Sequence, residues 1–127
     1  LILESRKNID LFQQLIDANM DYIRKGCEDV DRDYLGVISD ESCNQLESIS
    51  KVEVTEAEWS TIKHSNSEKE HKMMSIRLMI YYTSNRQYGD FDADDITYDL
   101  EQMLRKSTGM PIIVNYDSTN TNKHFDW

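Results

Sequence analysis

The chain has 127 residues, and its 24 acidic residues against 14 basic ones give a formal net charge of −10. This length suits one domain with its own core, so we predict a single domain over residues 1–127. The acidity argues against direct nucleic-acid binding, which requires clustered Lys and Arg. No run of ~18 apolar residues indicates a membrane span.

The first element predicted is a long helix over residues 5–25. Its apolar residues recur at helical spacing, Ser5 is a suitable N-cap, and Gly26 follows where a helix should end. These apolar positions are Ile9, Phe12, Leu15, Ile16, Met20 and Ile23. The apolar residues Leu1, Ile2 and Leu3 precede the helix, and we expect them to pack on this domain or on a neighbouring chain.

The next third of the chain carries weaker signals. We interpret residues 27–33 as an acidic loop, residues 34–38 as a short strand and residues 41–49 as a loop rather than a helical turn. Val52 and Val54 alternate with charged residues, as in a strand. Two cysteines are too few for a disulfide scaffold, so we expect two reduced thiols in a cytosolic protein.

A long strand is the clearest signal of the second half. Residues 63–71 contain no apolar side chain and read as a solvated hairpin tip or loop. Alternation then places Met74, Ile76, Leu78, Ile80 and Tyr82 on one face of a strand. Met73 and Met79 fall on the opposite face, which we therefore expect to be partly covered too.

A second helix follows an acidic turn. Ile96, Leu100, Met103 and Leu104 recur at helical spacing, either Asp92 or Asp94 can cap the first turn, and Gly109 with Pro111 ends the helix. Ile112 to Val114 then form a short strand. A strand–helix–strand unit of this length is either a parallel crossover or a split motif.

The polar residues that follow predict an extended C-terminal arm over residues 117–127. The fold class is therefore α+β, with the long N-terminal helix and a second helix packed on a small mixed or antiparallel sheet of about four strands. Phe125 and Trp127 close the arm, and large aromatic side chains are favoured at interfaces. The predicted interface residues are Leu1, Ile2, Leu3, Phe125 and Trp127.

The acidic turn has the spacing of a calcium loop. Asp90, Asp92, Asp94 and Glu101 occupy positions 1, 3, 5 and 12 of an EF-hand-like window. However, Asp95 stands at position 6, where the loop needs Gly, and an acidic helix N-terminus explains the same residues without metal. The three histidines lack zinc-ligand spacing, and no nucleotide-binding or nucleophile motif is present. We expect no cofactor and no enzymatic activity.

The element order, with a strand, a D-x-D-x-D turn and a helix over residues 76–104, resembles bacteriophage tail-terminator and neck proteins of the head–tail junction. The resemblance implies a non-catalytic homo-oligomeric ring, hexameric, with other virion proteins as partners. It places the protein in the virion or host cytoplasm. Two alternatives stay open: an acidic inhibitor or immunity protein whose carboxylates at 90–101 and 28–33 cover a basic groove of an enzyme, and a calcium-binding module.

Overall fold

The computed structural model of the chain describes residues 2–28, 40–63, 70–83 and 91–121. Within these ranges the chain forms three helices and three strands, an α+β fold. The elements are α1 (Ile2–Glu28), α2 (Asp40–Leu46), β1 (Ile49–Lys63), β2 (Glu70–Tyr82), α3 (Asp94–Thr108) and β3 (Ile112–Asn120). No helix in the described part of the chain is long and apolar enough to cross a membrane.

The three strands form one mixed sheet with β2 at its centre. β1 pairs antiparallel with β2, from Ile49↔Tyr82 to Lys63↔Glu70. β3 runs parallel to β2, from Met74↔Ile112 to Tyr82↔Asn120. Parallel neighbours need a crossover connection, and α3 supplies it. Of the two predicted topologies, the structure thus contains the parallel crossover.

The core lies between one face of the sheet and the helices. Along β2 the predicted alternation is observed: Ile76, Leu78 and Ile80 are fully buried, and the residues between them are half-buried. From the helices, α1 contributes Phe12 and Ile16, also fully buried. The rest of the buried cluster includes Met20, Ile23, Val52, Val54, Ala57, Met74, Ile96, Leu100, Leu104, Ile112 and Val114.

The two long helices form where the apolar spacing predicts them. α1 extends the predicted 5–25 segment at both ends, and α3 matches the predicted second helix. Gly109 ends α3 in the left-handed conformation (φ 69°), where it donates its N–H to the Arg105 carbonyl. A side chain is strained at that φ, so the glycine serves the helix end as predicted.

Several finer predictions need correction. The loop predicted over residues 41–49 is wrong, because Asp40–Leu46 is a helix. The described sheet has three strands rather than about four, and the strand predicted at 34–38 lies outside the described residues. β3 continues past Val114, so residues 117–120 of the predicted arm are paired with β2. Backbone pairing requires no apolar side chains. The polar residues of this half of β3 therefore gave no sequence pattern from which a strand could be predicted.

The cysteine prediction is also wrong. Cys27 and Cys43 form a disulfide, with their Cα atoms 5.6 Å apart. The bond ties the last turn of α1 to α2 and closes a segment with a sequence separation of 16. The two residues are too few for a disulfide scaffold, yet the fold brings them within bonding distance.

Candidate functional site

One face of the sheet has no described element over it. The three helices contact one another, so they lie on the same side of the sheet. The opposite face, called here the open face, carries the alternate side chains of the three strands. Its members are Lys51, Glu53, Glu56, Glu58, Met73, Ser75, Arg77, Met79, Tyr81, Ile113, Asn115 and Asp117.

The open face combines apolar and charged side chains. Met73, Met79, Tyr81 and Ile113 are half-buried, although nothing described covers them. The sequence predicts that the side of Met73 and Met79 is partly covered, and the two side chains are half-buried, although no described helix lies over them. A patch of this kind, rimmed by polar residues, is typical of protein-interaction surfaces.

The charges of the open face are predominantly negative. Arg77 lies 3.3 Å from Asp117 and 3.9 Å from Glu56, measured from guanidinium nitrogen to carboxylate oxygen. Lys51 pairs with Glu53 at 3.5 Å. These pairs are exposed and contribute little stability. Four carboxylates, including Glu58, face two cations, so this surface suits a partner with basic residues.

Helix side chains cover parts of both edges of the sheet. On β1, Gln13 of α1 accepts the Val54 N–H at 2.7 Å and donates to the Val52 carbonyl at 3.1 Å. Its amide therefore replaces the peptide group of a missing neighbour strand. Edge strands otherwise invite pairing with another chain.

The β3 edge is covered in an equivalent way from α3. Glu101 accepts the Val114 N–H at 2.9 Å, and Arg105 donates to the Ile112 carbonyl at 2.8 Å. Glu101 and Arg105 also form an ion pair at 3.3 Å. The carboxylate at the twelfth position of the predicted calcium window is thus engaged in closing this edge.

The N-terminus of α3 is held by side chains from three parts of the chain. Asp92 accepts the Asp94 N–H at 2.8 Å, as predicted for a residue satisfying an orphan donor, although Ala93 occupies the N-cap position. From α2, Gln45 accepts the Ile96 N–H at 3.0 Å and donates to Asp95 at 3.0 Å. These bonds replace the usual N-cap interaction.

Two hydroxyl groups complete this network. The Tyr116 hydroxyl accepts the Ala93 N–H at 3.2 Å and donates to Asp94 at 2.7 Å. Burial, followed by the hydrogen bond to Asp94 and the nearby carboxylates, raises the pKa of Tyr116, while the hydrogen bond from Ala93 opposes the rise. Ser42 of α2 donates to Asp99 at 2.5 Å.

A cleft of about 430 Å³ lies between α3 and the β3 edge, and we call it the α3–β3 cleft. Asp94, Glu101 and Arg77 line it, so charges of both signs meet there, and Tyr98 beside them is 61% exposed. The hydroxyl oxygen of Thr97 is buried at this cleft without a hydrogen-bond partner. Buried polar atoms are normally paired, so this hydroxyl is an exception within the described residues, and it is not accessible from outside the chain.

A second cleft, of about 610 Å³, lies at the end of the β1–β2 hairpin. Trp59, Lys72 and Pro111 are among its lining residues, and Trp59 is 51% exposed. β3 begins opposite Met74, so four pairs of the hairpin, from Ser60↔Met73 to Lys63↔Glu70, extend beyond it. We call this part the hairpin end.

The predicted calcium ligands are not brought together in the described residues. Asp90 lies outside them, whereas Asp92 and Asp94 flank the start of α3. Glu101 is seven residues along the helix from Asp94, a rise of roughly 10 Å. No group of three or more metal-ligating side chains occurs among the described residues. The acidic residues instead serve the helix start and the strand edge.

The structure does not describe the side chains of the five predicted interface residues. Leu1, Phe125 and Trp127 lie outside the described residues, while Ile2 and Leu3 belong to α1 without described side chains. Sequence reasoning missed Gln13, Gln45 and Tyr116, whose roles depend on partners far along the chain. Neighbouring residues in the sequence do not indicate which polar side chain will form a hydrogen bond to a distant element.

Comparison of the chain with protein-family models, curated proteins and solved structures finds no match.

Proposed function

We propose that this protein is a non-enzymatic assembly subunit that forms a homo-oligomer and docks a different protein on its open face. The observation that carries the proposal is that open face, where half-buried Met73, Met79, Tyr81 and Ile113 have no described cover. Burying such a patch against a partner removes apolar surface from water, which favours association.

The charge of the open face favours a partner other than a second copy. Two copies packed face to face would bring two predominantly negative surfaces together, each carrying Glu53, Glu56 and Asp117. Like charges across an interface oppose association, whereas a partner with basic residues around an apolar strip would be complementary. The finer form of the proposal is a ring-forming subunit of the phage head–tail junction, in which other virion proteins supply that partner.

The disulfide indicates in which redox environment this assembly forms. Bonds such as Cys27–Cys43 persist in oxidising environments, which include virion surfaces, and are rare in reducing cytosol. The virion is therefore the location that the proposal favours over the host cytoplasm.

Differential affinity capture tests the docking surface. Wild-type protein and the variant Met79→Glu serve as baits in an extract of the source cells, with Leu11→Glu as the matched control. Leu11 is 49% exposed on α1, away from the open face. We expect a protein that binds to the wild type and to Leu11→Glu but is lost with Met79→Glu. Equal capture by all three baits would contradict docking on the open face.

The acidic inhibitor is the second candidate, and the α3–β3 cleft favours it. Exposed Asp94 makes no ion pair within the described residues and is open to a basic side chain of an enzyme, whereas Glu101 is paired with Arg105 and Arg77 also lines the cleft. The two functions differ in what the purified chain does alone. A chain that stays monomeric at low ionic strength in native mass spectrometry favours the inhibitor, and a closed oligomer favours the assembly subunit.

A further inference from the structure

We propose that the Cys27–Cys43 disulfide is a redox switch that holds α2 on the N-terminal half of α3 when oxidised and releases α2 when reduced. The inference goes beyond the proposed docking function, because the helices and the open face lie on opposite sides of the sheet. Three observations support it: the covalent link itself, the small contribution of α2 to the core, and the position of its polar contacts.

The disulfide attaches the short helix α2 to the long helix α1. Cys27 lies in the last turn of α1, and Cys43 lies in the middle of α2. α2 has seven residues, whereas isolated helices shorter than about 12 residues are marginal in water. Its stability must therefore come from attachments to the rest of the chain, and the disulfide is an attachment that chemical reduction removes.

The hydrophobic core depends little on α2. The buried residues of the core cluster come from α1, the three strands, α3 and the residue before α3, and none of them lies in Asp40–Leu46. Leu46 packs against this cluster from α2, but it is only partly buried. A helix that contributes little to the core can open locally while the rest of the fold stays in place. We therefore expect reduction to release α2 without unfolding the sheet.

Side chains of α2 bond to the first half of α3. Ser42 donates to Asp99 at 2.5 Å, and Gln45 donates to Asp95 at 3.0 Å. Gln45 also accepts the Ile96 N–H at 3.0 Å, at a helix start that has no side-chain N-cap bond. When α2 leaves, two carboxylates and one backbone N–H lose these partners. The redox state thus determines the charge that α3 presents and how firmly its first turn is held.

The switching step is thiol–disulfide exchange with a dithiol. Cys27 is half-buried whereas Cys43 is 8% exposed, so the Cys27 sulfur is the more accessible point of attack. A thiolate of the dithiol bonds to this sulfur, and the Cys43 thiolate leaves. The second sulfur of the dithiol then displaces Cys27 and closes a disulfide within the dithiol. Two electrons and two protons thereby pass from the dithiol to the two cysteines, which end as thiols.

The environment sets the direction of this exchange. Disulfides persist in oxidising settings and are reduced in cytosol, where dithiol proteins keep thiols free. α2 is therefore attached in an oxidising environment, such as a virion surface, and released in a reducing one.

Hydrogen–deuterium exchange measured by mass spectrometry tests the switch on the full chain. The wild-type protein is labelled in its oxidised form and after reduction with the dithiol dithiothreitol. We expect the amides of α2 and of the first turn of α3 to exchange roughly tenfold or more faster after reduction, because local opening exposes them. The amides of the central strand β2 should be unchanged, because the sheet stays folded.

Carboxylate labelling measures the change on α3. Carbodiimide-driven coupling of an amine should modify half-buried Asp99 faster in the reduced protein, because the Ser42 hydroxyl no longer occupies it. Asp10 on α1 is exposed in the folded chain and serves as the internal control, with the same rate in both redox states.

The matched control is the variant Cys27→Ser with Cys43→Ser, which lacks the bond. It should exchange like the reduced wild type, and dithiothreitol should not change it. Unchanged exchange of α2 after reduction of the wild type would overturn the switch, since α2 would then be held without the bond. An equal rise in α2 and β2 would also overturn it, because the disulfide would then stabilise the whole fold. Capture with Met79→Glu tests docking on the open face separately.

Discussion

At the residue scale, Tyr116 is the side chain that most directly joins a strand to a helix. Its hydroxyl accepts from the Ala93 N–H and donates to Asp94, so it fixes the start of α3 beside β3. We expect Tyr116→Phe to lower the free energy of unfolding by about 1–2 kcal/mol, because two hydrogen bonds of a half-buried group are lost. Urea unfolding at neutral pH measures this change.

The same residue predicts a dependence on alkaline pH. Burial raises the pKa of Tyr116 above its ordinary value of 10.0, so the folded chain holds this proton more tightly than the unfolded chain. The associated stability is fully present below about pH 10 and is lost as the pH rises through the raised pKa. The fall in stability from about pH 9 to about pH 11 should therefore be smaller in Tyr116→Phe than in the wild type.

The matched control at this scale is Tyr98→Phe. Its hydroxyl makes no hydrogen bond within the described residues, and the side chain is 61% exposed. This variant should unfold like the wild type at neutral pH. An equal loss of stability in the two variants would show that the bonds of Tyr116 do not hold α3.

At the element scale, the disulfide fixes the short helix α2. A seven-residue helix is marginal by itself, and α2 is held by Cys43, Ser42 and Gln45. Removing the bond with Cys27→Ser and Cys43→Ser should lower the free energy of unfolding by about 3 kcal/mol. That magnitude follows from the entropy of closing a loop with a separation of 16.

Chemical denaturation with and without reductant measures the contribution of the disulfide. The reductant should destabilise the wild type by a similar amount and leave the double serine variant unchanged. If reductant has no effect on the wild type, the two cysteines do not contribute through a bond, and the expectation of free thiols regains support.

The elements differ in how far local sequence determines them. α1, β2 and α3 have apolar residues at a clear period, because each buries one face against the core, and the sequence therefore predicts them. α2 and the second half of β3 lack such a period. They are stabilised by backbone pairing and by hydrogen bonds to distant residues, such as the bond from Ser42 to Asp99. Such contacts cannot be predicted from the neighbouring sequence.

The candidate surfaces follow the same division. The alternation of residues along β2 places Met73 and Met79 on the side of the strand opposite the core. In the structure that side belongs to the open face. The acidic spacing around Asp92 and Asp94 fits both a calcium loop and a helix start, and Asp95 in place of the required Gly already favours the helix start. The described geometry uses these residues for the helix start. Only the fold shows that Thr97 is buried without a partner or that Trp59 is half-exposed, since both depend on nonlocal packing.

At the scale of the whole molecule, the sheet is protected at both edges by the helices that cover its core face. Gln13 bonds to two backbone groups of β1, and Glu101 bonds to one of β3. Unprotected edges are templates for strand addition, and a three-stranded sheet has two of them. These side chains therefore oppose strand addition at the edge positions that they cover.

Removing the edge-covering side chains of Gln13 and Glu101 should make strand-to-strand aggregation easier. We expect Gln13→Ala with Glu101→Ala to cost roughly 1 kcal/mol of stability at each site and to aggregate faster on mild heating, with thioflavin T binding. The matched control is Gln14→Ala with Glu41→Ala, which makes the same substitutions at exposed positions. Light scattering and dye fluorescence then separate two explanations. Faster aggregation of the Gln13→Ala and Glu101→Ala variant alone means that these side chains prevent aggregation through the sheet edges. Equal aggregation rates in both double variants mean that the edge strands do not aggregate when these side chains are absent.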